Sequence, residues 1–365
     1  MRARRRFAVL VAAVLLPAAL AAGEKKPKPI IEISTEDVPA VSTLAQPAAF
    51  DISPDGKRVA VLFRAPEANR NWNRQTYWVG VWEILSRKRI VASQLDDEVT
   101  GLGKPPLPGR CYLRFAAEGR KLVVSTSYSI RVLDADTSQQ SFLAAPAQID
   151  SRFGPLIHQI AISNDGRRIA YLSVGALREQ LPAAVTLMDV ETGTKLGEWT
   201  IPRWSHIELS ADGSEVLLAG TTPGRRGDYP IELRAAATGT LLKSFSGHTG
   251  HGALFNGGGN FIELGGGAIK HNPATLFKQI DVQSGTEVST GSFPPETGWV
   301  CGQVTPSGNA LLLLATWEKA SLLNIFREAP PVQEDLVLFP LDGGEPVLLK
   351  RNLQTVHCPS ISAER

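Results

Sequence analysis

The chain has 365 residues, a formal net charge of +2, three cysteines and 43% hydrophobic residues. So near-neutral a chain has no whole-molecule field with which to grip nucleic acid. Three cysteines cannot all pair, which excludes a disulfide-built scaffold, and the length suffices for two ordinary cores or one large repeat array.

Residues 1–21 read as a signal peptide. Arg2, Arg4, Arg5 and Arg6 precede an apolar run from Phe7 to Leu20, and Ala19-Leu20-Ala21 fits a small-x-small cleavage rule. The run is short for a membrane span, and an uncleaved anchor is the alternative. Removing those four arginines takes the charge from +2 to −2. Export would place the mature chain in the periplasm or outside the cell, not integral to a membrane. Residues 22–47 are charged and Pro-containing and read as a leader, with room for one outer strand but hardly three.

From residue 48 onward one pattern recurs: 50-FDISPDGKRVAVLF-63, 113-LRFAAEGRKLVVST-126, 160-IAISNDGRRIAYLS-173, 207-IELSADGSEVLLAG-220, 252-GALFNGGGNFIELG-265 and 302-GQVTPSGNALLLLA-315. Each copy is an alternating run, a polar-Gly turn and a second apolar run, which reads as a hairpin. The turn glycines are Gly56, Gly119, Gly166, Gly213, Gly258 and Gly308. A third apolar run follows in every copy, from 77-YWVGVWEIL-85 to 335-DLVLFPL-341. A short turn such as Thr192-Gly193 or Thr238-Gly239 then leads to a weaker fourth run. Four short strands per unit of roughly 45 residues is the pattern of a β-propeller blade.

These units resemble WD40-like repeat propellers, including the exported bacterial and YVTN-type relatives. Residues 239-GTLLKSFSGHTGHGALFNGGGNFI-262 carry the fullest match, with Gly-His ahead of an innermost strand and then the Gly turn. The resemblance covers residues 48–365 and implies an all-β fold of four-stranded antiparallel blades. His248 then takes the structural role of the repeat histidine. The family's Trp-Asp pair is absent, and Leu133-Asp134 and Met188-Asp189 stand in its place. The last residues, 357-HCPSISAER-365, match an innermost strand up to its turn. Six complete repeats plus a partial seventh is the plan this suggests; six blades closed by that strand, or a fragment of a longer chain, are the alternatives.

In such a blade the first-to-second and third-to-fourth turns share one end, and here they are short. The connections at the other end include 64–76, 96–110, 174–182, 221–228, 265–273 and 317–335, which are long and irregular. Long loops on a rigid scaffold are where binding residues gather. The candidate binding residues there are Arg70, Trp72, Arg74, Arg178, Arg225, Arg226, Lys270, His271, Trp317, Phe326 and Arg327. Arg and Trp combine apolar area with directed hydrogen bonding, which suits interaction hot spots. Ordinary solvated loops are the plainer reading.

Seven residues before the turn position stand His206, His251, Cys301 and Cys358 in four successive units; Ala49, Tyr112 and Gln159 hold that position in the others. Two His and two Cys suit zinc or copper chemically. Inner strands of different blades rarely converge to ligand distance, so fillers of the strand start are the competing reading. Cys301 and Cys358 could instead pair as a disulfide, which export permits. Cys111 reads as a buried thiol.

No G-x-S-x-G elbow, H-E-x-x-H or P-loop occurs, and no carboxylate pair defines a general acid and base. The sequence therefore points to an exported, non-catalytic propeller scaffold that binds a protein or peptide on its loop-rich face, with no cofactor. A propeller enzyme or metalloprotein with a site at the channel mouth is the alternative.

Overall fold

The computed structural model describes residues 6–9, 31–34, 46–53, 55–64, 74–86, 88–98, 111–146, 155–163, 165–175, 182–201, 205–220, 231–245, 252–255, 260–264, 275–292, 297–304, 310–317, 333–340 and 347–353. The chain divides into two compact units, Met1–Ala145 and Pro146–Arg365.

In the first unit, β1 (Arg6–Val9) pairs antiparallel with β2 (Ile31–Ser34). Two four-stranded antiparallel sheets follow. The first holds β3 (Gln46–Ile52), β4 (Arg58–Arg64), β5 (Arg74–Glu83) and β6 (Arg89–Glu98); the second holds β7 (Tyr112–Ala116), β8 (Lys121–Ser125), β9 (Ile130–Asp134) and β10 (Gln140–Ala144). In both, sequence neighbours are sheet neighbours.

The second unit has four more such sheets. They are β11 (Pro155–Ile162) to β14 (Lys195–Ile201) through β12 (Arg168–Gly175) and β13 (Ala183–Asp189); and β15 (Ser205–Leu209) to β18 (Leu241–Phe245) through β16 (Glu215–Gly220) and β17 (Ile231–Ala235). Next come β19 (Gly252–Phe255) to β22 (Glu287–Ser292) through β20 (Asn260–Leu264) and β21 (Thr275–Asp281); and β23 (Thr297–Val304) to β26 (Val347–Leu353) through β24 (Ala310–Trp317) and β25 (Gln333–Pro340). The tail expected to supply a partial seventh unit lies outside the described residues.

Strands β4, β8, β12 and β16 are buried on both faces, which is why they read as continuous apolar runs instead of alternating ones. In β4, Ala60 and Leu62 join Leu113, Phe115, Leu122 and Val124 of the second sheet, while Val59, Val61 and Phe63 pack the opposite way with Trp82 and Ile84. In β16, Val216 and Leu218 pack with Leu172, Val185 and Leu187 of the preceding sheet. Leu217 and Ala219 face Phe261 and Ile280 of the following one. There the Phe245 and Phe261 rings meet edge to face at 4.8 Å. The core is thus a set of sheet-to-sheet layers, each made by alternation along one strand.

The turn motifs have a local cause. In 53-SPDG-56 the Ser53 hydroxyl donates to Asp55 Oδ1 at 2.6 Å and accepts the Arg58 N–H at 2.9 Å. Asp55 Oδ1 also accepts the Lys57 N–H, and Gly56 N–H donates to the Ser53 carbonyl at 2.8 Å. The same bonds recur at Ser163–Arg168 and Ser210–Glu215. Gly56 has φ +68, the left-handed region that glycine occupies without steric cost.

The aspartates that stand where a Trp-Asp pair would end do a second local job. Asp189 Oδ1 accepts the N–H of Thr192 at 2.7 Å and its hydroxyl at 2.8 Å. Asp134 does the same for Thr137, and Asp281 for Ser284. These carboxylates close the third-to-fourth turn as Asx-type caps.

Candidate functional site

Antiparallel pairing sends successive connections to opposite ends of a sheet. At one end every connection is tight, none exceeding six residues. At the other end the connections between strands include residues 65–73, 99–110, 176–182, 221–230, 265–274 and 318–332. The second sheet is an exception there, because Thr126–Ser129 alone join β8 to β9. Its turn is buried and closed by Thr126 Oγ1, which accepts the N–H groups of Tyr128 at 3.1 Å and Ser129 at 3.2 Å.

Arg70, Trp72, Arg178, Arg225, Arg226, Lys270, His271, Phe326 and Arg327 lie outside the described residues. Two candidates expected in loops belong to strands instead. Arg74 opens β5, in register with Glu98, and Trp317 closes β24, in register with Gln333. The acidic run Asp96-Asp97-Glu98 likewise completes β6, opposite Thr76, Gln75 and Arg74, and is not part of the following connection. Strand pairing continues there because the β5–β6 ladder runs ten residues on each strand, past the point where apolar alternation stops.

A polar cluster lies where β5 and β6 pair at this end. Asp96 Oδ1 accepts the Thr76 hydroxyl at 2.8 Å, and both its carboxylate oxygens accept from Gln94 Nε2, at 3.1 and 3.0 Å. Arg131 Nη2 of the second sheet donates to the Asp96 carbonyl, and its Nη1 to Gln140 Oε1 at 3.3 Å.

The shared position at the strand start is partly visible. His206 opens β15 with Ser205 and is 6% exposed. Its Nδ1 is hydrogen-bonded to Nε2 of Gln159, which is itself buried on β11. Gln159 Oε1 accepts the Ile207 N–H at 3.4 Å, which orients the amide so that Nε2 donates to the ring. The other ring nitrogen, Nε2, lies 4.0 Å from Glu208 Oε2. Gln159 occupies the same repeat position one unit earlier, and that equivalence was the available signal that the two side chains meet.

Cys301 lies on β23, opposite Leu314 in register. His251, His248, His357 and Cys358 lie outside the described residues, and with Cys358 goes the Cys301–Cys358 pairing. Cys111 is buried at 7% exposure, beside Leu113 and Phe115. Among the described residues no three His, Cys, Asp or Glu side chains group as metal ligands do.

In the first unit, the strand-start positions are the buried Ala49 and Tyr112. Two residues on, Asp51 Oδ2 accepts the Phe115 N–H at 2.7 Å, tying β3 to β7. Burial pushes the Asp51 carboxyl above its ordinary range; the Arg114 charge and the N–H groups of Phe115 and Ile52 offset part of that rise.

No protein-family model matches the chain, and no curated protein matches it. Among solved structures it is similar to Kuenenia stuttgartiensis hydrazine synthase, with a TM-score of 0.51 and 17% identity over 69% of this chain and 69% of that one. It is also similar to a chain of the mitotic checkpoint complex, with a TM-score of 0.52 and 12% identity over 93% and 89%. Both likenesses are to β-propellers, and at these identities they carry the fold alone. The chain is an all-β propeller protein built of four-stranded antiparallel sheets.

Proposed function

We propose that this chain is an exported, non-catalytic propeller scaffold that binds a protein or peptide partner with the connections at one end of its sheets. The observation that carries this reading is the asymmetry between the two ends. At one end the connections are short, and in the described Ser-x-Asp-Gly turns the serine and aspartate side chains are used in the turn's own hydrogen bonds. The connections at the other end are long in sequence and hold Arg70, Trp72, Arg178, Arg225, Arg226, His271 and Arg327. A rigid sheet scaffold with variable loops at one end separates stability from recognition. Export rests on the order of basic, apolar and small residues in positions 1–21. Among the described residues, no helix is long and apolar enough to cross a membrane.

Cross-linked capture from the exporting cell, followed by quantitative identification of the bound protein, tests the reading. Trp72→Ala and Arg225→Ala are expected to lower capture of the same protein by about tenfold, the size of one hot-spot loss, with the melting temperature unchanged. Capture that both variants leave intact removes the loop-rich end as the binding face. The metalloprotein alternative makes a different forecast. It requires a stoichiometric metal in the purified protein that His206→Ala releases. Because Gln159 is already hydrogen-bonded to Nδ1, we expect His206→Ala to release no such metal and to lower the melting temperature through loss of that buried hydrogen bond.

A further inference from the structure

Three of the described turns carry an Asp-Gly pair: Asp55-Gly56, Asp165-Gly166 and Asp212-Gly213. In such a pair the glycine nitrogen can attack the aspartate side chain, because no Cβ shields that nitrogen. The three turns share one frame. A serine hydroxyl donates to the Asp Oδ1, at 2.6, 2.6 and 2.7 Å, and the glycine N–H donates to that serine's carbonyl, at 2.8, 2.8 and 2.9 Å. Oδ1 also accepts the N–H two residues on, from Lys57, Arg167 or Ser214. With the frame constant, only the surroundings can set the three pairs apart.

The surroundings differ. Asp212 is held by a further donor, the Ser214 hydroxyl at 2.8 Å. Gly213 is buried, and the Arg168 side chain lies across it and donates to its carbonyl at 3.1 Å. Gly166 is buried too, and the Asp165 N–H donates to the Ala211 carbonyl in the turn of the next sheet at 3.3 Å. Gly56 is exposed, with nothing within 4 Å of an added Cβ, and Asp55 and Lys57 on either side of it are exposed as well. The bonds that hold Asp55 come from its own turn.

We propose that Asp55 is a modification site, where the folded chain converts to isoaspartate ahead of the two equivalent turns. The reaction needs only water. The Gly56 nitrogen attacks Cγ of the Asp55 carboxylic acid, an N–Cγ bond forms, and the acid hydroxyl leaves with the amide proton as water. The product is a five-membered succinimide. Water then adds to its main-chain carbonyl carbon, the bond from that carbon to nitrogen breaks, and the chain continues through Cγ. The former main-chain carbonyl becomes a free carboxylate, and the mass is unchanged. The backbone is one carbon longer, so the Ser53 and Lys57 bonds of the turn cannot all re-form.

Attack requires the Gly56 N–H to leave the Ser53 carbonyl and the carboxyl to shed its donors. An exposed turn opens locally at lower cost than a packed one. At Gly56 the opening breaks bonds within the turn; at Gly213 it must also move Arg168. The Ser53 hydroxyl and, after it, the Lys57 N–H hold the Asp55 carboxyl below its ordinary value and so in the unreactive anion. Ser53 is therefore the residue that restrains the reaction.

The purified full chain is kept folded at neutral pH, with a parallel sample in urea. Peptide mapping, with fragmentation that separates the two isomers, gives the rate at each site, and each folded rate is divided by its rate in urea. Asp55 is expected to keep at least about fivefold more of its unfolded rate than Asp165 or Asp212, the worth of one further hydrogen bond. Ser53→Ala should raise the folded rate at Asp55 about fivefold and leave the other two unchanged. Gly56→Ala should suppress the reaction there, and Arg168→Ala, which uncovers Gly213, should raise Asp212 toward Asp55. Asn256-Gly257 and Asp342-Gly343 lie outside the described residues and are read as separate peptides. Equal fractions at the three sites, a lead by Asp165 or Asp212, or an Asp55 that stays unmodified in the folded chain would overturn the proposal.

Discussion

Arg58 reaches out of its own sheet to the carbonyl oxygen of Gly119, 2.7 Å from Nη2, at the turn of the next sheet. Arg168 makes the same reach to the carbonyl of Gly213, at 3.1 Å. Both arginines stand two residues after a turn glycine, and both targets are the turn glycine one unit later. The repeat thus contains a clasp that joins successive sheets at their tight-turn end. Arg58 adds a cation–π contact over Phe115 at 5.6 Å and an ion pair with Asp136 at 3.0 Å.

Arg58→Ala should lower the unfolding free energy by about 1–3 kcal/mol, mostly from the charged hydrogen bond to Gly119. The Asp136 partner is 65% exposed, so the ion pair adds little. Asp136→Ala is therefore expected to change stability much less than Arg58→Ala. Urea unfolding of the two variants checks this, and equal losses would mean that the ion pair, not the carbonyl, is the working contact.

Two glycines separate conformational from steric cost. Gly56 has φ +68 with no atom within 4 Å of an added Cβ, whereas a Cβ on Gly197 would sit 2.1 Å from the Ala237 carbonyl oxygen. That neighbour is backbone of the next sheet and cannot swing aside. Gly56→Ala should cost about 1 kcal/mol for a left-handed alanine. Gly197→Ala should cost up to about 3 kcal/mol, as overpacking does. The ranking is read from denaturant midpoints; a Gly197→Ala protein as stable as Gly56→Ala would show that β14 does not abut the Ala237 turn.

The turn aspartates shape the acid limb of stability. The Ser214 N–H and the hydroxyls of Ser210 and Ser214 hold Asp212 down from 3.8 to about 2. The folded turn binds the ionised form, so this stabilisation is present above 3.8 and is lost as the pH falls toward about 2. Asp55, Asp134 and Asp189 are lowered by the same kind of hydrogen bond and act in the same direction. Asp51 has the opposite sign. Its raised carboxyl contributes stability that is present below 3.8 and is lost as the pH rises through its folded value. Asp212→Asn should therefore flatten part of the acid loss. Asp51→Asn, which keeps an acceptor for Phe115, should gain on the parent protein at neutral pH and lose that gain in acid. Denaturant midpoints across the acid range decide both.

Much of this architecture is written locally. The Ser-x-Asp-Gly and Asp-x-x-Thr-Gly turns use donors and acceptors within five residues of one another, so their sequence is enough to place them, and the runs between them become the strands. The strand ends were less legible. Arg74, Trp317 and Asp96–Glu98 read as loop because polar residues there interrupt the alternation, yet backbone pairing carries on through them. The outer-strand bulges at Leu196, Leu242 and Val288 were not legible either, since one extra residue in an exposed outer strand leaves the apolar pattern almost unchanged.

By itself the sequence determined the period, the turn chemistry and the four-strand unit, because each depends on contacts between residues close in the chain. The tertiary structure decided which equivalent positions touch. Gln159 and His206 share a repeat position, as do Asp51 and Arg114, but a period states only equivalence. Sheet stacking sets which side chain reaches across. It gave His206 a glutamine for a neighbour, carried Arg58 to a carbonyl and turned the outer-strand leucines toward solvent.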